Sequence, residues 1–449
     1  MQFWKAKLSA DPRPLLPESV RSREMEQAIA QWQAIFHGRP DWRSGKRPRT
    51  LNLASASTQY LARLVCAELR VELGGSKRGK WLADAVNSQV LPQLPMAVQQ
   101  AMAGGCVALK PYVQDGELRL EWLRADQFYP VELEASGQVS KAVFLSFVHE
   151  QKTDYLRAEF HRFEDGLYRI SSCAFECDGN GCPKRPVNLD KIPQWADIPE
   201  EIAIENLEKP LFAIWRMPFA NTVDGSAEAV SLYAAGAQTL EDIDRLYNDY
   251  CFEFLSARRK MILREDALRL RSDGSPVLPH SEQAEDVYLP LDLPGDSAPF
   301  GDYTPKIREN DYRNAMNQLL RLYEMQCGVS SGTFSLDEKG ALTATEVLSQ
   351  DRKTYYAVAE IQQQGRVALE DLVSAMDALC DLYGIGGEGD WKLNIQFGDS
   401  LFEDCGTEFE RRRKLVEMGM KPELLLAWYF GKDEDEAAKM LAKEAKKDE

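Results

Sequence analysis

Three stretches of this chain carry the residue spacing of catalytic motifs, and each lacks something the chemistry needs. Gly74-Gly75-Ser76-Lys77-Arg78-Gly79-Lys80 approaches a phosphate-binding loop, but Trp81 stands where a Ser or Thr would ligate magnesium. No apolar strand ending in Asp follows nearby, so a basic surface loop is the expectation. Gly384-Ile385-Gly386-Gly387-Glu388-Gly389 has the GxGxxG spacing of a dinucleotide cradle. It follows a helical pattern and precedes a strand, whereas an anion cradle needs the helix N-terminus to come after the glycines. Gly328-Val329-Ser330-Ser331-Gly332 matches the nucleophile elbow GxSxG. That elbow requires a downstream histidine, and the last of the four histidines (His37, His149, His161, His280) lies upstream.

Cys173, Cys177 and Cys182, with His161 nearby, suggest a zinc set at first sight. Their spacings of four and five are not those of a CxxC knuckle, and they span a strand and a turn. Buried and turn thiols are the plainer expectation. No paired carboxylates stand out for acid–base work. The residues therefore point to no cofactor, no metal and no catalytic centre. The basic run Arg258-Arg259-Lys260 suits either a solvated helix end or an interface.

The charge narrows the choice further. The chain has 449 residues, with 54 Lys and Arg against 71 Asp and Glu, a net charge of −17. The first 80 residues hold 15 basic and 7 acidic residues, so the excess of acid lies beyond them. A protein that grips a duplex shows the opposite balance, although DNA that must slide past is compatible with it. Forty-four per cent hydrophobic residues make ordinary globular material with room for a large core. Nine scattered cysteines fit a reducing compartment. No apolar run approaches the length of a membrane span, and the N-terminus has no apolar signal core.

The elements that would position these residues follow from periodicity. Residues 17–37 and 50–72 show apolar spacings of three and four, as helices do. From about 104 to 180 the period becomes two. Strands are expected at 106–113 and 117–123 around Asp115-Gly116, at 139–148, at 155–163 and at 167–177. A loop rich in Pro and acid (183–208) leads to a strand at 211–216. Residues 226–258 read as one long helix. Six of the 22 prolines fall within 259–305, marking a small irregular or β-containing insert. A helix at 306–327 follows, so two helices around a compact tip suggest a stalk. After the unperiodic loop 328–342, Thr343-Ala344-Thr345-Glu346 forms a capping box for a helix to 383. Gly365 in the middle of that helix is a candidate hinge. A strand at 391–397 and three short helical stretches complete the chain.

This order of elements, with several local strings, resembles the portal (head–tail connector) proteins of tailed bacteriophages, nearest the minor-capsid/portal family of the long-tailed phages. The carrying strings are Lys209-Pro210-Leu211-Phe212, Met217-Pro218-Phe219-Ala220-Asn221, residues 231–247 with Ile243-Asp244, GVSSGTFSLDEKGALTATE at 328–346 with residues 347–355, Asp399-Ser400, and residues 434–441. Together they span about 80–445. The resemblance implies an α+β, phage-portal-like fold. After an N-terminal helical region (1–82) would come a β-rich wing (83–225), stem helix 1 (226–258), a clip (259–305) and stem helix 2 (306–327). A tunnel loop (328–342), a long kinked wing helix with a strand (343–398) and a helical crown (399–449) would follow.

It further implies a homo-oligomeric ring, most often a dodecamer, at the capsid vertex of a virion assembled in the host bacterial cytoplasm. Double-stranded DNA would pass through it. The terminase large subunit, head-completion or adaptor proteins, and the major capsid and scaffold proteins would be its partners, with no membrane. It would be a conduit and not an enzyme. Lys339, Thr333, Phe334 and Ser335 would lie at the channel constriction, Arg308, Arg313 and Arg321 are candidates to face the bore, and Arg258, Arg259 and Lys260 candidates to dock terminase. The alternatives are a hydrolase or nuclease acting on nucleic acid, which would need a convergent acid–base or metal cluster, and a monomeric scaffold or adaptor protein of the capsid.

Overall fold

Two aspartate–glycine pairs set the register of the β-rich part. Asp115 and Gly116 adopt φ of 55° and 77°, and Asp165 and Gly166 adopt 53° and 78°. Two successive positive φ values make the tight turn whose twist matches antiparallel strands. The first turn joins β2 (Cys106–Gln114) to β3 (Glu117–Arg124), and the second joins β6 (Thr153–Glu164) to β7 (Leu167–Cys177). The computed structural model describes residues 19–43, 49–179, 181–258, 260–264, 272, 288–291, 294, 300–336, 344–398, 405–430 and 438–439.

The fold mixes helix and sheet. β4 (Phe128–Leu133), β5 (Val139–Glu150), β6, β7 and β8 (Pro183–Val187) form one antiparallel sheet in that order, with β9 (Glu201–Ile204) also on β7. β10 (Ala213–Arg216), β2 and β3 form a second sheet. β8 and β9 lie inside the stretch that the sequence leaves as loop; β8 holds two prolines in five residues and β9 is only four residues long, so neither gives an alternation to read.

The helices cover the smaller sheet. Ser22 caps α1 (Arg23–Phe36) by accepting from the Met25 N–H at 3.1 Å, and Met25, Ile29, Trp32 and Phe36 turn inward together. α2 (Leu53–Cys66) packs on α4 (Leu94–Gly104), and Ala97, Val98, Ala101 and Met102 of α4 are fully buried. The helix expected to reach residue 72 stops at Cys66. Arg70–Gly74 instead forms β1, antiparallel to β14 (Lys392–Gln396). α3 (Lys77–Ala85) follows β1 directly.

The segment expected to be helical from 226 becomes helical only at α5 (Ala237–Ser256). The residues before it spend their hydrogen bonds on the core. The Leu232 N–H donates to Met102 O at 2.9 Å, the Ser231 hydroxyl donates to the same carbonyl, and the Tyr233 hydroxyl donates to Trp32 O at 2.8 Å. Val230 and Tyr233 are thus core residues of a loop, and their helical spacing is coincidental.

α5 and α6 (Glu309–Gln326) run antiparallel. Tyr250 meets Tyr312 with ring centroids 5.7 Å apart at one end, and Gly236 lies against Tyr323 at the other. Past Asp244 no residue of α5 is buried, and before Leu320 none of α6 is. The hairpin therefore leaves the core and extends about 18 Å at 1.5 Å per residue. Its far end carries a three-stranded sheet, β12 (Tyr288–Leu291), β11 (Lys260–Arg264) and β13 (Phe300–Tyr303) in that order.

α7 (Ala344–Tyr383) is an unbroken 40-residue helix lying on β10 and β2. The sequence suggests a hinge at Gly365; the structure gives its missing side chain a packing role. A Cβ at Gly365 would lie 2.2 Å from the Trp215 ring of β10. α8 (Cys405–Glu417) and α9 (Pro422–Phe430) pack through Phe409 and Tyr429. Most of the third stretch, 434–441, lies outside the described residues. Among the described residues no helix is long and apolar enough to cross a membrane.

Candidate functional site

The root of the α5–α6 hairpin is where the chain's unperiodic loop begins. Leu320, Tyr323, Glu324 and Cys327 share one face of α6 by their spacing, and that face is buried. Glu324 is therefore a carboxylate on an apolar stripe, 1% exposed. Its Oε1 accepts the backbone N–H groups of Phe334 and of Ser335 (2.7 Å), and its Oε2 accepts the Gly332 N–H at 3.0 Å. The Ser335 hydroxyl adds a longer bond, at 3.3 Å. The chain can wrap around one carboxylate because Gly328 and Gly332 take φ of 72° and 87°, a region that L side chains avoid.

A second set of bonds fixes the loop to α7. The Ser330 N–H donates to Thr354 Oγ1 at 3.0 Å, and the Thr354 N–H donates to Ser330 Oγ at 3.2 Å. Ser330, the would-be nucleophile of the GxSxG match, is thus a buried strut. The Phe334 ring lies near both Tyr60 and Tyr323, with centroids 5.9 and 6.1 Å away. The Thr333 hydroxyl donates to Ser330 O at 2.6 Å. Thr333, Phe334 and Ser335 come together as expected of neighbours in a loop, but around Glu324, and Ser335 is buried. Lys339 lies outside the described residues.

The arginine candidates are spread along the hairpin. Arg308 makes a two-pronged contact with Glu253 at 3.1 and 2.8 Å, closing the far end of α5 onto the start of α6. The hydrogen bond from Arg308 holds the Glu253 carboxyl below its usual range. Arg313 donates to Asn310 Oδ1 at 3.4 Å, and Arg321, also exposed on α6, has an interaction of its own. Arg258 is exposed and likewise engaged, Lys260 opens β11 opposite Tyr303, and Arg259 lies outside the described residues. Phe252, Phe254 and Ile307 remain 59%, 42% and 40% exposed near the hairpin's tip.

No protein-family model matches the chain, and no curated protein matches it. Two solved structures are similar in outline. One is a chain from the virion of a native gene transfer agent particle (TM-score 0.46, 13% identity, 90% of this chain and 93% of that one). The other is from the neck of a native gene transfer agent particle computed with C12 symmetry (TM-score 0.45, 14% identity, 91% and 94%). Likenesses of this strength say nothing about function.

The two glycine-rich lookalikes turn out to be one packing unit. A Cβ at Gly75 would meet Asp390 O at 3.0 Å, one at Gly389 would meet Ser76 Cβ at 2.6 Å, and one at Gly387 would meet the Lys77 stem at 3.0 Å. The loops are pressed face to face, which leaves no cradle for a phosphate between them. Arg78 joins them by donating to Gly387 O, while pairing with Asp377 and Asp381 of α7. Ser76 caps α3 by accepting from the Gly79 N–H.

His161 belongs to a buried ionic network and not to the cysteines. Glu159 accepts from Lys110 (2.9 Å) and His161 Nε2 (2.7 Å) and forms an ion pair with Arg157 (2.9 Å), and His161 Nδ1 lies 2.8 Å from the Tyr168 hydroxyl. The Glu159 carboxylate can only accept, so Nε2 carries the proton of the neutral ring and Nδ1 accepts from the Tyr168 hydroxyl, which itself accepts the Leu211 N–H. Among the described residues no group of three or more His, Cys, Asp or Glu is arranged to hold a metal ion.

Burial pushes the His161 pKa below the ordinary value of 6.5, with Lys110 and Arg157 adding to it, against the pull of Glu159. The unfolded histidine therefore takes up its proton first, and stability is lost as pH falls below about 6.5. Burial opposes the charge on Glu159, yet Lys110, His161 and Arg157 hold its carboxyl well below 4.5, which adds a second loss at more acid pH. The thermal midpoint should drop between about pH 7 and 5, and His161→Gln should flatten that slope. An unchanged slope would assign it to other groups.

Proposed function

We propose that this chain is the portal subunit of a phage-type particle: a ring at the capsid vertex through which double-stranded DNA is packaged and ejected. The observation that carries the proposal is the projecting α5–α6 hairpin, tipped by a small sheet and rooted beside the loop that Glu324 holds. It supports the roles that the sequence resemblance implies. The hairpin serves as stem, its sheet as a clip docking the terminase large subunit and then head-completion proteins, and the loop beyond Leu336, with Lys339, as the channel constriction.

The exposed Phe252, Phe254 and Ile307 favour the ring over a lone scaffold protein. A stalk bearing aromatic side chains in water gains by burying them against identical neighbours. Twelve copies at −17 would carry about −204, suited to guiding DNA without holding it. The chain acts as a conduit and not as an enzyme, and the packaging ATPase is a separate protein. Mass measurement of the purified protein tests the reading. Twelve copies of 50.8 kDa give about 610 kDa, and negative-stain images should show an annulus with a central hole. A stable particle of one subunit would overturn it.

A further inference from the structure

We propose that Glu324 is a positioning residue that fastens the loop after the stem to the stem itself, so that the end of α6 and residues 330–336 move as one body. The fastening is read from the geometry alone and does not depend on the portal reading.

A loop of nine residues with two glycines has many conformations available, and holding one of them requires bonds that water cannot replace. Glu324 supplies them. It is buried, so its carboxylate has no bulk water to turn to, and it takes three backbone N–H groups within four residues. Hydrogen bonds to a charged acceptor are about twice as strong as neutral ones. Asn317 adds a tether, accepting the Leu336 N–H at 2.9 Å just before the described loop ends. Any tilt of α6 is therefore carried to residues 332–336.

The acidic cleft around Asp377, Asp381 and Asp390 has its one arginine, Arg78, already paired. The cavity beside Arg21 holds an arginine satisfied by Glu228 and two carbonyls.

Amide hydrogen exchange on the intact protein tests the proposal. In the unaltered chain the Gly332, Phe334 and Ser335 amides should exchange as slowly as those of the last two turns of α6. Free-loop rates there would overturn the proposal even if no variant folds. In Glu324→Gln the amide group can accept fewer of these bonds, and exchange across 332–336 should rise tenfold or more, roughly the loss of one charge-assisted bond. Glu324→Asp keeps the charge at a shorter reach and should fall between the two. Exchange along α5, and the mass of the assembled particle, should stay as they are. Unchanged loop exchange in Glu324→Gln would overturn the fastening, whereas a monomeric mass for the unaltered protein would count against the ring and leave the fastening standing.

Discussion

Replacing Glu159 with glutamine should cost about 3–5 kcal/mol of unfolding free energy, the usual result of removing one partner from a buried ion pair. Glu159 sits between two sheets. Lys110 reaches it from β2, while Arg157 and His161 flank it on β6. With the carboxylate gone, Arg157 pairs with no other acid among the described residues and would keep the Trp195 ring, 5.8 Å from its guanidinium carbon. Lys110 would keep Glu121 at 3.0 Å, on the more exposed side. The result should be two poorly compensated cations in a site of low dielectric. Adding Lys110→Met removes one of those cations and should recover part of the loss, so that the double variant is more stable than the sum of the single effects predicts. Urea unfolding with matched slopes measures both. A loss under about 1 kcal/mol in Glu159→Gln would mean that water reaches the network.

Much of the architecture is legible because it depends on local rules. The Asp-Gly turns at 115–116 and 165–166, the strands around them, α6, α7 and β14 all follow from period and turn chemistry. The stalk with a β-containing tip follows from two helical patterns around a proline-rich insert. What escapes notice is non-local. Arg70–Gly74 becomes a strand because β14, more than 300 residues away, offers it a partner. Residues 230–233 are not helical where the Met102 carbonyl of α4 takes the Leu232 N–H and the Tyr233 hydroxyl is anchored on Trp32 O of α1.

The candidate site shows the same division. The resemblance assigns Thr333, Phe334 and Ser335 to the channel constriction; the structure adds that the Phe334 and Ser335 N–H groups bond Glu324 of α6, while the Thr333 hydroxyl bonds Ser330 O. The signal for Glu324 was present: an acid at the position between Leu320 and Cys327 that the helix period assigns to the apolar face. An acid in that place is either an error in the helix assignment or a buried acceptor with a donor to find. The nearest donors in sequence are the backbone amides of the glycine-rich loop. Likewise, two glycine clusters 310 residues apart read separately as failed nucleotide motifs, and only the fold reveals that Gly75, Gly387 and Gly389 lie where a Cβ would meet the other segment.

Gly365 gives the second large expected effect, and it separates two explanations of one residue. A glycine inside a helix costs about 1 kcal/mol relative to alanine, so a hinge with free space around it should be stabilised by Gly365→Ala. The structure predicts the opposite sign. The new methyl would sit 2.2 Å from one Trp215 ring carbon and 2.5 Å from another, and Trp215 is wholly buried between the helix and its sheet. The ring cannot swing out, because α7 lies on β10 and β2 together. Overpacking a core costs roughly 1–3 kcal/mol, occasionally more, and the clash here is severe enough to exceed the helix gain. Gly365→Ala should therefore lower stability by about 1–2 kcal/mol net, and Trp215→Phe in the same chain should return part of it by retracting the ring. Trp215→Phe alone should be destabilising, since it leaves a gap under the helix. A stabilising Gly365→Ala, with no coupling to position 215, would restore the hinge and remove the contact as the reason that glycine is there.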